Sequence, residues 1–483
     1  MPASRSTPPL ALKNLKIDPD IFEKIPAKFA CHYKVIPIKF ENDTLTLAIE
    51  DPLDLITLDD ISLFLGLKIE PVSASRADIL GAIREHYGLG AETIEEIMGA
   101  EGLDNNLSGQ KGRTENIDEM AQDASIMKFV NQMLAQAVKD NATDIHIEPY
   151  EDELRIRYRV DGILYDVPIP QGIKYFKSAI VSRIKIMANL DIAERRLPQD
   201  GRIKIKVSGQ EMDLRVSVLP TQFGESIDIR ILISSMLYSL QGLGLSFADL
   251  GILEKLIKKP HGIIFVTGPT GSGKTTTLYA CLSKINDSNR KIITIEDPVE
   301  YQLKGITQIQ VHQRIGLDFA AGLRSMLRHD PDIMMVGEVR DLETLEITIR
   351  VALTGHLVFS TLHTNDAAGG ITRLLDMGVE PYLVASSVEC FIAQRLVRVI
   401  CPDCRGKGCE SCKFTGYKGR TAIYEFLVMS DEIRDMILKR SSSGHIKDKA
   451  LELGMHTLRM DGLEKIKKGI TTFNEVMRVT KED

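Results

Sequence analysis

Short apolar blocks, each with its own spacing against polar residues, divide this chain into segments of different character. From Ile17 to about Tyr87, two strand-like stretches, Lys34-Val-Ile-Pro-Ile-Lys39 and Thr44-Leu-Thr-Leu-Ala-Ile49, precede helical patterns. That predicts a small α/β module behind a loose tail over residues 1–15. Residues 88–122 break the periodicity with a Gly-rich, acidic and amide-rich run, Asp104-Asn-Asn-Leu-Ser-Gly-Gln-Lys-Gly, and read as a flexible linker. A second module opens near Ala124 with a helical stretch from Ile126 to Ala137. Strands follow at Asp144-Ile-His-Ile-Glu148, Leu154-Arg-Ile-Arg-Tyr-Arg-Val160 and Arg202-Ile-Lys-Ile-Lys-Val207, apolar on one face and polar on the other, as a half-buried antiparallel sheet requires. From about Leu243 to Leu396 strands alternate with helices, the order of an α/β domain. Residues 421–483 read as mostly helical, with Met429-Ser-Asp-Glu-Ile as a helix start. The expected domains are 1–88, a linker 89–122, a middle domain 123–240, a core 241–396, a cysteine module 397–420 and a helical region 421–483.

Composition changes this picture little. The 483 residues are too many for one core, and 43% apolar with 26% charged residues is ordinary for a globular protein. Apolar runs fall far short of the roughly 18 residues of a membrane helix, and Met1-Pro-Ala-Ser-Arg opens no secretory signal, so a cytoplasmic protein is expected. A net charge of −7 weighs against a general nucleic-acid binder. The middle segment nevertheless holds nine arginines between Arg155 and Arg230. Arg155, Arg157 and Arg159 share one strand face by period two, either a solvated face or one turned to an anion or another subunit.

The chemistry concentrates after Ile263-Ile-Phe-Val266. There Gly268, Pro269, Thr270, Gly271, Ser272, Gly273, Lys274, Thr275 and Thr276 lie between a strand-like and a helix-like segment, the setting of a phosphate-cradling loop. Glycines let the backbone N–H groups turn inward, and the helix N-terminus adds partial positive charge. Lys274 reaches the outer phosphates of ATP or GTP and the Thr275 hydroxyl is placed for Mg²⁺. Ile292-Ile-Thr-Ile-Glu296-Asp297 ends an apolar strand in carboxylates, at the crevice where ligands bind to such sheets. In Pro331-Asp-Ile-Met-Met-Val-Gly-Glu338-Val-Arg340 four apolar residues precede Glu338, with Gly337 where the metal-holding acid usually stands. His356 precedes and His363 follows another apolar strand. Arg324 and Arg328, at i and i+4, would share a helical face, as a phosphate clamp or a solvated surface.

These motifs in this order resemble the secretion ATPases of type II secretion and type IV pilus assembly, over about residues 124 to 483. The signature runs are the phosphate loop, Ile-Glu-Asp-Pro-Val-Glu, Val-Gly-Glu-Val-Arg-Asp and Thr-Gly-His…Leu-His-Thr-Asn. Thr143-Asp-Ile-His-Ile-Glu-Pro149, Arg155–Gly162 and Leu197-Pro-Gln-Asp-Gly-Arg202 resemble the family's middle domain. The resemblance implies a RecA-like core, a PAS-like middle domain and ATP hydrolysis with Mg²⁺. By it, Glu296 orients water, Glu338 is the acid of the second nucleotide motif, and His356 and His363 respond to the γ-phosphate. Arg202 and Arg215, with Arg324 and Arg328, would neutralise phosphate charge as domains close. It further implies homo-hexameric rings, peripheral to the inner membrane. These would be docked on a platform protein and on the cytoplasmic domain of a membrane-anchored component, with no stable nucleic-acid partner.

Cys401-Pro-Asp-Cys404 and Cys409-Glu-Ser-Cys412 form two thiol hooks with four residues between them, the ligand set of a structural Zn²⁺ site. Disulfides and a redox pair are the alternatives, and a cytosolic setting disfavours the first. Losing Cys404 should unfold this knob and leave ATP binding intact. The tetracysteine is typical of secretion and pilus-extension relatives and typically absent from the retraction branch, so assembly is favoured. The N-terminal segment resembles the second half of the family's N-terminal domain without the Arg-Leu-Gly repeat of a full cyclic-di-GMP-binding version, which mildly favours secretion over pilus extension and leaves cyclic di-GMP an open expectation. A nucleic-acid translocase and an ATP-binding scaffold are the remaining readings.

Overall fold

The computed structural model describes residues 10–88, 117–233 and 239–480, apart from 11, 13, 14, 16, 23 and 208. It divides into two units, Met1–Ile233 and Ser234–Asp483. Most of the expected 89–122 linker lies outside the described residues, and its end, from Ile117, is already helix.

In the first unit, β1 (Ile36–Glu41), β2 (Thr44–Ile49) and β3 (Lys68–Ser73) form a small sheet in that order. Asn42 and Asp43, both at positive φ, make the two-residue turn that joins β1 to its antiparallel partner β2. Sequence patterning missed β3, whose Pro71 argues against a strand. An edge position tolerates the missing donor, and β3 is the sheet's outer strand, paired with β2, with Leu10 bonded at its Ser73 end. The helix Ile117–Lys139 then leads into β4 (Ala142–Pro149), β5 (Leu154–Val160), β6 (Ile163–Asp166), β7 (Gln199–Val207), β8 (Gln210–Thr221) and β9 (Gly224–Ile233). They form one antiparallel sheet, ordered β6-β5-β4-β9-β8-β7. Its apolar face, including Ile145, Ile147, Ile156 and Val216, shares a buried cluster with Phe129, Met133 and Ile184 of the helices.

The second unit is built on seven strands: β10 (Gly262–Thr267), β11 (Ile292–Glu296), β12 (Thr307–Gln310), β13 (Ile333–Val336), β14 (Leu357–Leu362), β15 (Val388–Ile400) and β16 (Tyr417–Val428). Their order is β12-β11-β13-β14-β10-β15-β16, parallel except for the last pair. β10, β13 and β14 are buried along their whole length, which explains why their sequences are continuous apolar runs without alternation.

The carboxyl-terminal expectation needs correction in two places. The break placed between 396 and 397 falls inside β15, and residues 421–428 belong to β16 rather than to a helical region. β15 from Val388 to Arg395 and β16 from Ala422 to Leu427 are buried without a break, so these stretches carry no two-residue alternation that marks a strand. The cysteine module is the tip of this long hairpin. Four helices follow, Asp431–Leu438, Ser443–Glu452, Leu458–Lys467 and Phe473–Val479, and Ser430, Ser442, Thr457 and Thr472 cap their first turns.

A buried ion pair fastens Leu458–Lys467 to β16. Lys465 Nζ donates to Asp461 at 2.7 Å and to the Ala422 carbonyl at 2.6 Å, and the Tyr424 N–H donates to Asp461 at 2.8 Å. Replacing Lys465 with Ala would leave the Asp461 charge buried without its cation, at a cost of about 3–5 kcal/mol. Chemical denaturation of the folded protein should show that loss, and a paired Asp461→Leu, Lys465→Met variant should lose much less.

Candidate active site

Parallel pairing sets the geometry. Because β10, β11, β13 and β14 run in one direction, the segments leaving their carboxyl ends all emerge at one edge of the sheet. These are the phosphate loop, Glu296-Asp297, Gly337-Glu338 and His363–Asp366. Gly271 and Gly273 turn the loop at φ +78° and +89°, and the helix Lys274–Ile285 starts directly after it. Lys274 Nζ donates to the loop's own carbonyls, Gly268 O at 2.8 Å and Pro269 O at 3.0 Å. Burial brings its pKa down to about 8, Glu338 opposing this and Arg395 adding to it. Thr267 Oγ1 and Ser272 Oγ are buried without a hydrogen-bond partner among the described residues. Glycines at positive φ, a lysine held on loop carbonyls and two hydroxyls unsatisfied among the described residues fit a phosphate chain, with Thr275 on the first turn for its Mg²⁺.

Glu338 is the acid that reaches this loop. Its carboxylate lies 2.5 Å from Arg340 and 3.7 Å from His363 Nε2. Gly337 is there for space: a Cβ would come within 3.3 Å of the Glu296 Cα and the Ile295 carbonyl. Its N–H donates to Ile295 O at 2.8 Å, so pairing with β11 continues one residue past β13 before Glu338 departs. His363 is held below its ordinary pKa by partial burial and by the Lys274 charge.

Other expected residues stand elsewhere. Glu296 is 3% exposed, and its carboxylate accepts from Tyr279, from Thr294 at 2.6 Å and from Gln308 at 3.2 Å. Burial raises its pKa against those three donors. It is a buried junction between β11, β12 and the helix after the loop, rather than an open carboxylate at the crevice. His356 lies at the opposite edge of the sheet from His363, because the six residues of β14 separate them, roughly 20 Å of extended chain. There its Nδ1 is 3.0 Å from Val351 O and 3.2 Å from Thr354 Oγ1, at the end of the helix Leu342–Leu353. Two histidines flanking a strand suggested one site; a strand's length keeps them apart. Arg324 pairs with Glu343, and Arg328 bonds back to Arg324 O and Ser325 Oγ at 3.0 and 3.2 Å, so both lie on an exposed face.

In the first unit, the β5 arginines are already paired: Arg155 with Asp166 at 2.6 Å, Arg157 with Glu148 at 2.7 Å and Arg159 with Asp144 at 3.6 Å. Arg202 stands directly opposite Arg215, which stands opposite Arg230, which stands opposite Asp144. Like charges facing one another across strands destabilise a sheet, so this row is suited to receiving an anion. Such cross-strand placement has no signal in a single sequence.

The four clustered thiols share one small volume, all sulfurs within 4.8 Å of one another. The Cys401–Cys409, Cys404–Cys412 and Cys409–Cys412 sulfur separations are 3.8, 3.7 and 3.7 Å. A tetrahedral ion with bonds of about 2.3 Å has edges of about 3.8 Å, whereas a disulfide is about 2.0 Å long. N–H groups of Gly408, Cys409 and Gly416 donate to Cys404 or Cys412 sulfur at 3.2–3.3 Å, as a thiolate site needs. Gly408 and Gly416 are at φ +90° and +77°, and a Cβ on either would strike facing backbone at 2.8 or 2.6 Å.

Sequence reasoning missed Gln394 and Arg395. Gln394 Oε1 accepts from Thr277 at 2.8 Å, and Arg395, 7% exposed, lies against Gly268. Neither belongs to a recognisable motif, and only the register of β15 beside β10 brings them to the loop.

The separation of the histidines gives a direct contrast. His363→Ala should lower ATP turnover at least tenfold, while His356→Ala should leave it within twofold in a phosphate-release assay.

Known proteins place this geometry in a family. Residues 119–478 match the profile of the type II/IV secretion system protein family, and residues 5–93 that of the MshEN domain. The type IV pilus assembly ATPase PilB of Myxococcus xanthus is 45% identical over 99% of this chain and 89% of its own length. The type II secretion system protein E of Pseudomonas aeruginosa is 43% identical over 95% of this chain and 97% of its own. Among solved structures, the pilus retraction motor PilT with bound ADP superposes with a TM-score of 0.53 at 27% identity, over 73% of this chain and 96% of that one. The chain therefore belongs to the type II/IV secretion system protein family and is an ATPase of it.

Proposed function

We propose that ATP hydrolysis at the Gly268–Thr275 loop drives assembly of a pseudopilus and export of proteins by a type II secretion system. The observation that carries this is similarity to the Pseudomonas secretion protein E along nearly the whole of both chains. A second reading, extension of a type IV pilus, is favoured by the match to the Myxococcus pilus assembly ATPase over 99% of this chain. The ring is taken to be a homo-hexamer held at the inner membrane by a platform protein and a membrane-anchored component. No helix among the described residues is long and apolar enough to cross a membrane.

At the site, Lys274 and the loop N–H groups would hold the phosphates, and Thr275 and Glu338 would hold Mg²⁺, which would supply charge neutralisation at the transferred phosphoryl group. His363, beside Glu338 at the mouth of the loop, responds to the γ-phosphate. Arg202 and Arg215 are candidates to neutralise phosphate charge; their place in a cross-strand arginine row supports this. Arg324 and Arg328 remain candidates for the same work, since both are exposed. Zn²⁺ fits Cys401, Cys404, Cys409 and Cys412, where it would hold the hairpin tip as a rigid knob. The MshEN match keeps a ligand role for the N-terminal module open, cyclic di-GMP included.

Glu338→Gln should reduce ATP turnover a hundredfold or more, the scale of losing one preorganised electrostatic partner. Glu296→Gln should cost less in turnover and more in thermal stability, because Glu296 is buried among its three donors. In the native cell, Glu338→Gln should trap exported proteins inside the envelope with pili intact. Loss of pili with normal export would establish the second reading instead.

A further inference from the structure

Arg395 is a buried cation with no carboxylate within ion-pair distance among the described residues; Asp366 and Glu425 lie near enough to offset part of the cost of its burial. It lies on β15 two residues beyond Ala393, the last residue paired with β10, so it runs alongside the phosphate loop rather than the strand. One guanidinium nitrogen donates to Gln394 O at 2.9 Å, and a Cβ on Gly268 would come within 3.0 Å of it. The other donates to Asn365 O at 2.6 Å and reaches Thr364 O at 3.5 Å. Those carbonyls belong to the segment that begins with His363. On its other side, Gly268 donates its N–H to Leu362 O at 3.3 Å and accepts from Lys274 Nζ. One planar fork thus lies beside the first glycine of the phosphate loop, bonded to the β15 carbonyl next to it, and holds the backbone that presents His363.

We propose that Arg395 is a positioning residue for hydrolysis: it locks the His363–Asp366 segment to the phosphate loop, so that His363 and Glu338 meet the γ-phosphate in fixed register. The role belongs to the guanidinium. A lysine would keep the charge but, lacking the planar fork, would not span Gln394 O and Asn365 O together. The proposal rests on Gly268–Thr275 being the nucleotide loop. Loss of ADP binding in Lys274→Ala checks that reading separately.

The test uses the full chain, with ADP affinity measured by calorimetry and turnover measured under saturating ATP. Arg395→Lys should bind ADP within threefold of wild type yet turn over at least fivefold more slowly. Arg395→Gln should turn over at least tenfold more slowly, also with ADP affinity nearly kept. Turnover within twofold of wild type in either folded variant, or turnover and ADP affinity falling in parallel, would overturn the assignment. Wild-type protein offers a second measurement that needs no variant. ADP binding should slow amide hydrogen exchange over residues 363–366 at least threefold, and unchanged exchange there would equally overturn it.

Discussion

The parallel register of β10 with β14 on one side and β15 on the other is the constraint on which the rest of this molecule depends. A parallel strand cannot return by a short turn, so each of the buried strands β10, β11, β13 and β14 sends its next segment out at the same edge. Residues separated by tens of positions, from Lys274 through Glu338 to His363, converge there without any contact in sequence. Backbone pairing joins the strands and apolar packing covers them, with Phe265, Ile295, Met334 and Phe391 in one continuous cluster.

That edge is electrostatically unfinished. Lys274 and Arg395 influence one another across the loop, each pushed below its usual pKa first by burial, and Glu338 is the acid that lifts Lys274. Lys274, glycines at positive φ and two hydroxyls without partners among the described residues suit this edge to negative charge. On the middle sheet, Arg202, Arg215 and Arg230 face one another across neighbouring strands, and Arg230 pairs with Asp144.

Motif spacing made much of this legible. The phosphate loop, the cysteine hooks and the alternation of the middle strands are local signals, and the structure puts each in the expected kind of element. What stayed hidden was tertiary. Glu296 looked like an exposed strand-end acid, but β12 and the helix after the loop supply Tyr279 and Gln308 to bury it. His356 and His363 looked like a pair because sequence shows nearness along the chain and not the span of a buried strand. β15 and β16 carry no alternation, because both faces are covered, so Arg395 fell outside every pattern. Arg155, Arg157 and Arg159 looked available for an anion, and carboxylates on neighbouring strands and loops already hold them.

The central claim is that the edge formed by β10, β11, β13 and β14 receives the phosphates of ATP. A structure with Mg²⁺ and a non-hydrolysable ATP analogue tests it most directly. The account predicts that Lys274 Nζ leaves the Gly268 and Pro269 carbonyls for the outer phosphates, with Glu338 and Thr275 facing the metal and Arg395 still bonded to Asn365 O. A bound analogue with Lys274 still on Gly268 O, or phosphates seated away from Glu338, would contradict it.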